Sequence, residues 1–291
     1  MGADFLIPVA DGHCHASPAR GLGAKAIAEA FKKSGGWFLA LVSLSPSAYG
    51  IEERGLDSFI KTVDAHVKEC KKAKEEGITI ACIAGFHPAE VDKLVDRHRL
   101  SSAKAVEIGV RVVEYVASLI ERGLLDGIGE VGRQHYKTSS DRVLASHIIM
   151  EYAIERARDL GAVVHLHLEQ AKEDTVEITD KLIERLKPLK HKIVFHHADL
   201  RIAIEAWRRG YSSTIVGLRQ PLEYALSKLE PIYMIESDFL DDPERPGAVT
   251  QPWEMARLVQ QLAALDDEWK EKLYKINVDL VAKVYDVNAP L

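Results

Sequence analysis

The chain has 291 residues, of which 47% are hydrophobic, and a formal net charge of −6. That composition supports one large α/β domain or two smaller ones. It argues against a protein that coats duplex DNA through a broad basic face, but leaves open an enzyme that grips a few phosphates through metal ions. No run of 18 apolar residues is present to span a membrane, and the start lacks the basic and apolar parts of a secretory signal. Cys14, Cys70 and Cys82 show no paired spacing and suit a reducing cytoplasm.

In chain order, an apolar run over 5–10 reads as a buried strand and leads into Asp11-Gly12-His13-Cys14-His15. Side chains alternate along a strand, so Asp11, His13 and His15 are expected on one side and Cys14 on the other, in packing. A rhythm then repeats. Charged amphipathic segments end in Gly35-Gly36, Gly77, Gly123, Gly161 and Gly210, and an apolar run follows each. Glycine closes a helix cheaply in the left-handed conformation, and an apolar run straight after it reads as the next strand of a parallel sheet.

The strands so expected lie near 5–10, 37–42, 78–83, 124–128, 162–164, 192–197, 211–216 and 232–236. The segments between them are helix-patterned. In Asp141–Leu160, for instance, Leu144, Ile148, Tyr152 and Ala153 recur at helical spacing. Eight strand–helix units in this length predict a single-domain (β/α)8 TIM barrel over 1–291. A doubly wound open sheet is the runner-up, weakened by the lack of a glycine-rich phosphate loop. The most loop-like segment is 241–247, only 288–291 reads as a tail, and the basic stretch 185–192 reads as a solvated helix end and turn.

Catalytic groups of a parallel barrel gather at the carboxyl ends of its strands. Ligand-type side chains recur at those ends: His13 and His15, His87, Glu130, His165 and His167, His196 and His197, and Asp238. Glu130 sits among glycines and apolar residues, an odd place for a carboxylate unless something compensates it. Imidazoles with carboxylates and no clustered thiolates suit one or two divalent ions of the zinc, magnesium or manganese kind.

The order His13-x-His15, Gly85-x-His87-Pro88, Gly129-Glu130-x-Gly132, a strand-five His, a strand-six His and Glu236-Ser237-Asp238 resembles the TatD family of metal-dependent deoxyribonucleases, TIM barrels of the amidohydrolase superfamily. Asn277 matches a helix-start Asn of that family. The resemblance implies that His13 and His15 bind one metal. Asp238 would complete that site and take the proton of the attacking water. Glu130 would bridge two metals, a strand-five and a strand-six His would hold the second, and His87 would face the substrate phosphate. The run Leu160-Gly161…Val164…His167…Ala171 picks His167, with His165 as a supporting or alternative ligand. Spacing to Gly210-Tyr211 slightly favours His197 over His196. Glu236 shares a strand face with Asp238 but sits deeper, in a supporting position.

Two departures stand out. Arg133 and Gln134 follow Gly-Glu-x-Gly where the family has Leu-Asp, and Glu169 stands where it has Arg. An Arg there would hold a phosphate or a structural carboxylate, so its loss bears on the substrate, and Arg133 is a candidate to supply the missing charge. The expected function is hydrolysis by a metal-activated water, with DNA ends or another phosphodiester as the leading substrate. Hydrolysis of an amide, lactone or other small ester is the alternative, and a catalytically silent metal-binding protein is a third reading. A cytoplasmic location with no membrane partner is expected. Oligomeric state is not legible.

Overall fold

Each glycine that punctuates the sequence adopts the conformation its place demands: Gly35, Gly77, Gly123, Gly161 and Gly210 all have positive φ. A strand follows each of them in the computed structural model, which describes residues 6–244 and 249–290. The strands are β1 Val9–His15, β2 Gly36–Val42, β3 Thr79–Ala84, β4 Gly127–Gly132, β5 Val163–His167, β6 Ile193–Phe195, β7 Ser212–Val216 and β8 Met234–Glu236. They run parallel in sequence order. Just past β8 the ring closes on β1, where Asp238 N donates to His13 O at 3.0 Å and His15 N to Phe239 O at 2.9 Å. The fold is a (β/α)8 barrel.

The helices are α1 Ala24–Lys33, α2 Leu56–Lys74, α3 Pro88–Asp96, α4 Ser102–Glu121, α5 Ser140–Leu160, α6 Glu173–Ile183, α7 Leu200–Arg208, α8 Arg219–Lys228, α9 Pro252–Ala263, α10 Asp267–Tyr274 and α11 Leu280–Tyr285. Two apolar cores follow from strand alternation. On β2, Leu39 and Leu41 pack outward under the helices, while Phe38, Ala40 and Val42 fill the interior. Val281, Val284 and Tyr285 of α11 join that interior core. Asn277 ties the preceding turn to the base of the barrel: its Oδ1 accepts from Ala10 N at 3.0 Å, and its carbonyl accepts from Trp37 Nε1 at 3.0 Å.

The structure corrects several expectations. The first strand is Val9–His15 rather than 5–10, so His13 and His15 lie within it; Phe5 falls outside the described residues. Pairing of β1 with β2 is irregular between Asp11 and Cys14. That irregularity interrupts simple alternation. Strands β4 and β5 run on to Gly132 and His167. On α5 the buried face is Ala145, Ile149, Ala153 and Ala157, whereas Leu144 and Ile148 are exposed. The buried stripe is rotated by one position from the expected one, and Ala153 belongs to both. Cys70 of α2 and Cys82 of β3 form a disulfide, which corrects the expectation that no two cysteines pair. Helix-on-strand packing brings together two residues that no spacing motif marks. Cys14 is free and buried in the outer core, as expected.

The loop after β8 is less free than its composition implied. Asp241 is buried, and its carboxylate accepts from the backbone N–H groups of Ser17, Leu22 and Gly23 at 2.9, 2.7 and 2.9 Å. It thereby fastens this loop to the one after β1. Arg245, Pro246, Gly247 and Leu291 of the loop and tail expectations lie outside the described residues. In the basic stretch, Arg185 pairs with Glu151, Lys190 with Asp180 and Lys192 with Asp286. Among the described residues no helix is long and apolar enough to cross a membrane.

Candidate metal centre

Strand ends can crowd here because glycines stand where neighbours meet. A Cβ on Gly129 would come 2.7 Å from His165 Cβ, and one on Gly132 only 1.8 Å from His167 O. Neither contact is sterically possible, so glycine at both positions lets β4 draw against β5 and carry Glu130 inward.

Glu130 is the hub. Its Oε1 lies 2.8 Å from His196 Nε2, 3.2 Å from His167 Nδ1 and 3.6 Å from His13 Nε2. Its Oε2 lies 3.9 Å from His15 Nε2 and 3.9 Å from His87 Nε2. Asp238 Oδ1 lies 3.7 Å from His15 Nε2. The groups His13–His15–Asp238, His13–Glu130–His196 and His87–Glu130–His167 each bring their ligand atoms within 4.8 Å of one another. His13, His15, Glu130 and His196 are buried, and His87 is half-buried on the open side. The Nδ1 of His87 accepts from Ala89 N at 3.0 Å at the start of α3, which turns its Nε2 toward Glu130.

Strand six divides its histidines. His196 joins Glu130 and His167, whose Nδ1 is 3.1 Å from His196 Nε2. His197 instead turns its Nδ1 to Asp238 Oδ2 at 3.0 Å and is half-buried. The preference for His197 among the ligands therefore does not match the geometry. The chain leaves β6 at Phe195, and His197 takes a left-handed backbone, φ 53°. His165 lies beneath the cluster, its Nδ1 2.9 Å from His13 Nδ1 and its Nε2 2.8 Å from the Tyr285 hydroxyl. Glu236 is fully buried below Asp238; its Oε2 accepts from Thr214 Oγ1 at 2.6 Å and lies 3.7 Å from His196 Nδ1.

One residue beside the cluster escaped the sequence reading. His135, exposed at the rim, sets its ring 4.7 Å from that of His167. Only its place three residues past Gly132 could have flagged it. Asp11 does not join the cluster; its Oδ1 accepts from His13 N at 3.2 Å and Ser237 N at 2.9 Å. Burial pushes the Asp11 carboxyl up to about 7.

Hydrogen bonding assigns the tautomers of the β1 pair. His15 Nδ1 donates to Val42 O at 2.9 Å, which turns its Nε2 toward Asp238 and the cluster. Burial lowers the pKa of both His13 and His165, so both are neutral. If Tyr285 donates to Gly12 O, 3.3 Å away, it accepts from His165 Nε2, and His165 Nδ1 accepts from His13 Nδ1. His13 Nε2 is then bare. It lies 3.2 Å from His15 Nε2, close enough for one cation to reach both. Burial raises the pKa of Glu130, but His196 and His167 outweigh it, so the carboxylate stays charged. Burial likewise opposes ionisation of Asp238, and hydrogen bonds from His15 and His197 outweigh it. Imidazole nitrogens and ionised carboxylates converging without an Arg or Lys fit a divalent metal.

Arg133 does not face this cluster. It is buried, with Nε and Nη2 on Glu169 at 2.9 and 2.6 Å and Nη2 also on Thr179 Oγ1 at 2.8 Å. Gln134 donates to Asp92 and Ser146, both at 2.9 Å.

An uncharacterized protein of Methanocaldococcus jannaschii is 29% identical over 290 residues, covering 98% of both chains. Among solved structures, a TatD homologue of Escherichia coli superposes with a TM-score of 0.62 at 16% identity, covering 97% of this chain and 100% of that one. An organophosphorus hydrolase of Deinococcus radiodurans gives 0.61 at 12%, covering 98% and 97%. At such identities the structures speak for the fold. The model of the TatD-related DNase family matches residues 10–286. The chain therefore belongs to the TatD-related DNase family.

Proposed function

We propose that this metal-dependent hydrolase cleaves phosphodiesters, with DNA ends as the leading substrate. The observation that carries the reading is the convergence of His13, His15, His167 and His196 on Glu130, with Asp238 and His87 on its open side. Family membership and this donor set support a metal-dependent hydrolase. In this reading His13, His15 and Asp238 would hold one divalent ion and His167 and His196 a second, with Glu130 available to both. Zinc, magnesium and manganese all suit such donors. When bound, the ions polarise the attacked phosphorus–oxygen centre and lower the pKa of water. Asp238 takes the proton of the attacking water, since its carboxylate stays ionised. His197 orients that carboxylate through Oδ2, and His87 Nε2 donates to a substrate oxygen. A cytoplasmic location belongs to this reading on family membership alone.

A second reading, hydrolysis of a lactone or other small ester, is favoured by one observation. Glu169 occupies Arg133, which therefore offers no charge to a phosphate. End-labelled single-stranded DNA, p-nitrophenyl phosphodiesters and lactones, each assayed with and without added divalent ion, separate the two. Cleavage of the DNA and phosphodiester, abolished by chelation, is expected. Turnover of lactones alone sinks the phosphodiester reading, and activity indifferent to chelation sinks both.

A further inference from the structure

His66 and Cys70 stand four residues apart on α2 and so share one face of that helix. Cys82 of β3 meets them there, joined to Cys70 by the disulfide. His66 Nε2 comes within 3.4 Å of Cys70 Sγ. The imidazole nitrogen and the two sulfurs all lie within 4.8 Å of one another. His66 and Cys82 are fully buried, and Cys70 nearly so. None of the three takes part in the hydrolytic chemistry, and a covalent cross-link does not need an imidazole beside it. Two sulfurs and an imidazole are, however, a zinc-type donor set once the sulfurs are reduced.

The surroundings suit that use. With the disulfide closed, Nε2 donates to Leu41 O at 3.1 Å. The Tyr49 hydroxyl lies 2.9 Å from Nδ1. Moving the imidazole proton to Nδ1 gives it to Tyr49 and bares Nε2, the arrangement in which a ligating histidine is ordinarily held. Leu41 O is then an oxygen donor on the ligand side. Charge fits as well. Cys70 and Cys82 belong to the outer apolar core with Val63 and Ala73. Two thiolates cancel the double charge of the ion and a neutral imidazole adds none, so the filled site is neutral, as apolar surroundings require.

We propose that His66, Cys70 and Cys82 form a second metal site, separate from the barrel mouth, that takes a zinc-type ion once the disulfide is reduced. A dithiol reduces the Cys70–Cys82 bond to two thiols and is itself oxidised to a disulfide. The ion then binds both sulfurs as they release two protons. Ion and disulfide exclude each other, and either one fastens α2 to β3. The inference is independent of the substrate of the centre at the mouth.

Cobalt(II) is the probe. A cobalt–thiolate bond absorbs in the near ultraviolet by sulfur-to-metal charge transfer, which the imidazoles and carboxylates of the mouth do not give. The full-length protein is unfolded in urea with a phosphine reductant, refolded without oxygen and titrated beside the oxidised protein. The band is expected to grow saturably in the reduced protein only, and added zinc is expected to erase it. It persists in His13→Ala and in Cys14→Ser, and it is lost when Cys70→Ser and Cys82→Ser are combined. His66→Gln weakens cobalt binding by at least about tenfold. Circular dichroism of each refolded variant verifies its fold. The site is overturned by absence of the band in the reduced protein, by a band unchanged in the double variant, or by a band lost in Cys14→Ser. Unchanged affinity in His66→Gln removes the imidazole from the site, and failure of zinc to compete overturns the assignment to a zinc-type ion.

Discussion

Arg133 and Glu169 form a two-pronged ion pair in which guanidinium Nε and Nη2 meet the two carboxylate oxygens at 2.9 and 2.6 Å. Each residue is a departure from the family pattern, and the two departures answer one another: an acid on the β5 side is met by a base on the β4 side. The pair is asymmetric. The Arg133 side chain is 8% exposed, that of Glu169 33%. Removing the acid strands a buried cation, while removing the base leaves a carboxylate that water reaches. Glu169→Ala is therefore expected to cost about 3–5 kcal/mol in urea unfolding, and Arg133→Met less than half of that. The reverse order would mean that the guanidinium is not held as described.

The split between His196 and His197 makes a second comparison possible. His196 Nε2 lies 2.8 Å from Glu130, whereas His197 touches Asp238 and no other member of the cluster as closely. His196→Ala is expected to lower the metal content of purified protein, measured by elemental analysis, and to abolish activity. His197→Ala should keep its metal and lose about 10–100-fold in kcat, as when a group that orients an active carboxylate is removed. Equal metal loss in both variants contradicts this division of roles.

These two cases show which parts of the molecule a sequence makes legible. Helix-ending glycines carry a backbone requirement that each meets locally, so the barrel could be read from Gly35, Gly77, Gly123, Gly161 and Gly210. Alternation set His13 beside His15 on one side of β1, but it treats His165 and His167 alike, and the run Leu160-Gly161…His167…Ala171 of the family resemblance was what singled out His167. Alternation has no hold beyond a strand, and β6 is only three residues long. The choice between adjacent histidines therefore depended on a left-handed turn at His197. Contacts between elements were hidden altogether. Cys70 meets Cys82 because α2 lies on β3, and Arg133 reaches Glu169 across two strand ends.

Acid sensitivity is expected from a residue away from the metal centre. His66 on α2 is fully buried, with Nδ1 2.9 Å from the Tyr49 hydroxyl and Nε2 donating to Leu41 O at 3.1 Å. Burial lowers its pKa from 6.5 to about 4. Between those values the unfolded chain binds a proton that the folded chain refuses, so stability falls as pH drops from 6.5 toward 4 and is fully present above 6.5. This residue alone accounts for about 2 kcal/mol lost by pH 5. His66→Gln is less stable at pH 7.5, but its gap to the wild type should narrow by about that amount at pH 5. A constant gap across that range would show that His66 titrates normally.

Tyr285 supports the metal centre from below. Its hydroxyl lies 2.8 Å from His165 Nε2, and His165 Nδ1 lies 2.9 Å from His13 Nδ1. With Tyr285 donating to Gly12 O, the donors run from His13 through His165 to Tyr285, and His13 Nε2 is left bare toward Glu130. In Tyr285→Phe the ring still packs with Phe38, 4.7 Å away between centroids in the native protein. His165 loses its anchor and either tautomer becomes accessible to it. In one of them its Nδ1 carries the proton, and His13 must then move its own proton to Nε2, where it blocks the ligand atom. Metal affinity should fall about 10–100-fold, read by competition against a chromophoric chelator. Unfolding free energy should change by no more than about 1–2 kcal/mol, because one neutral hydrogen-bonded group is removed. A variant that binds metal as tightly as the parent chain would show that the proton on His13 is fixed by something other than Tyr285.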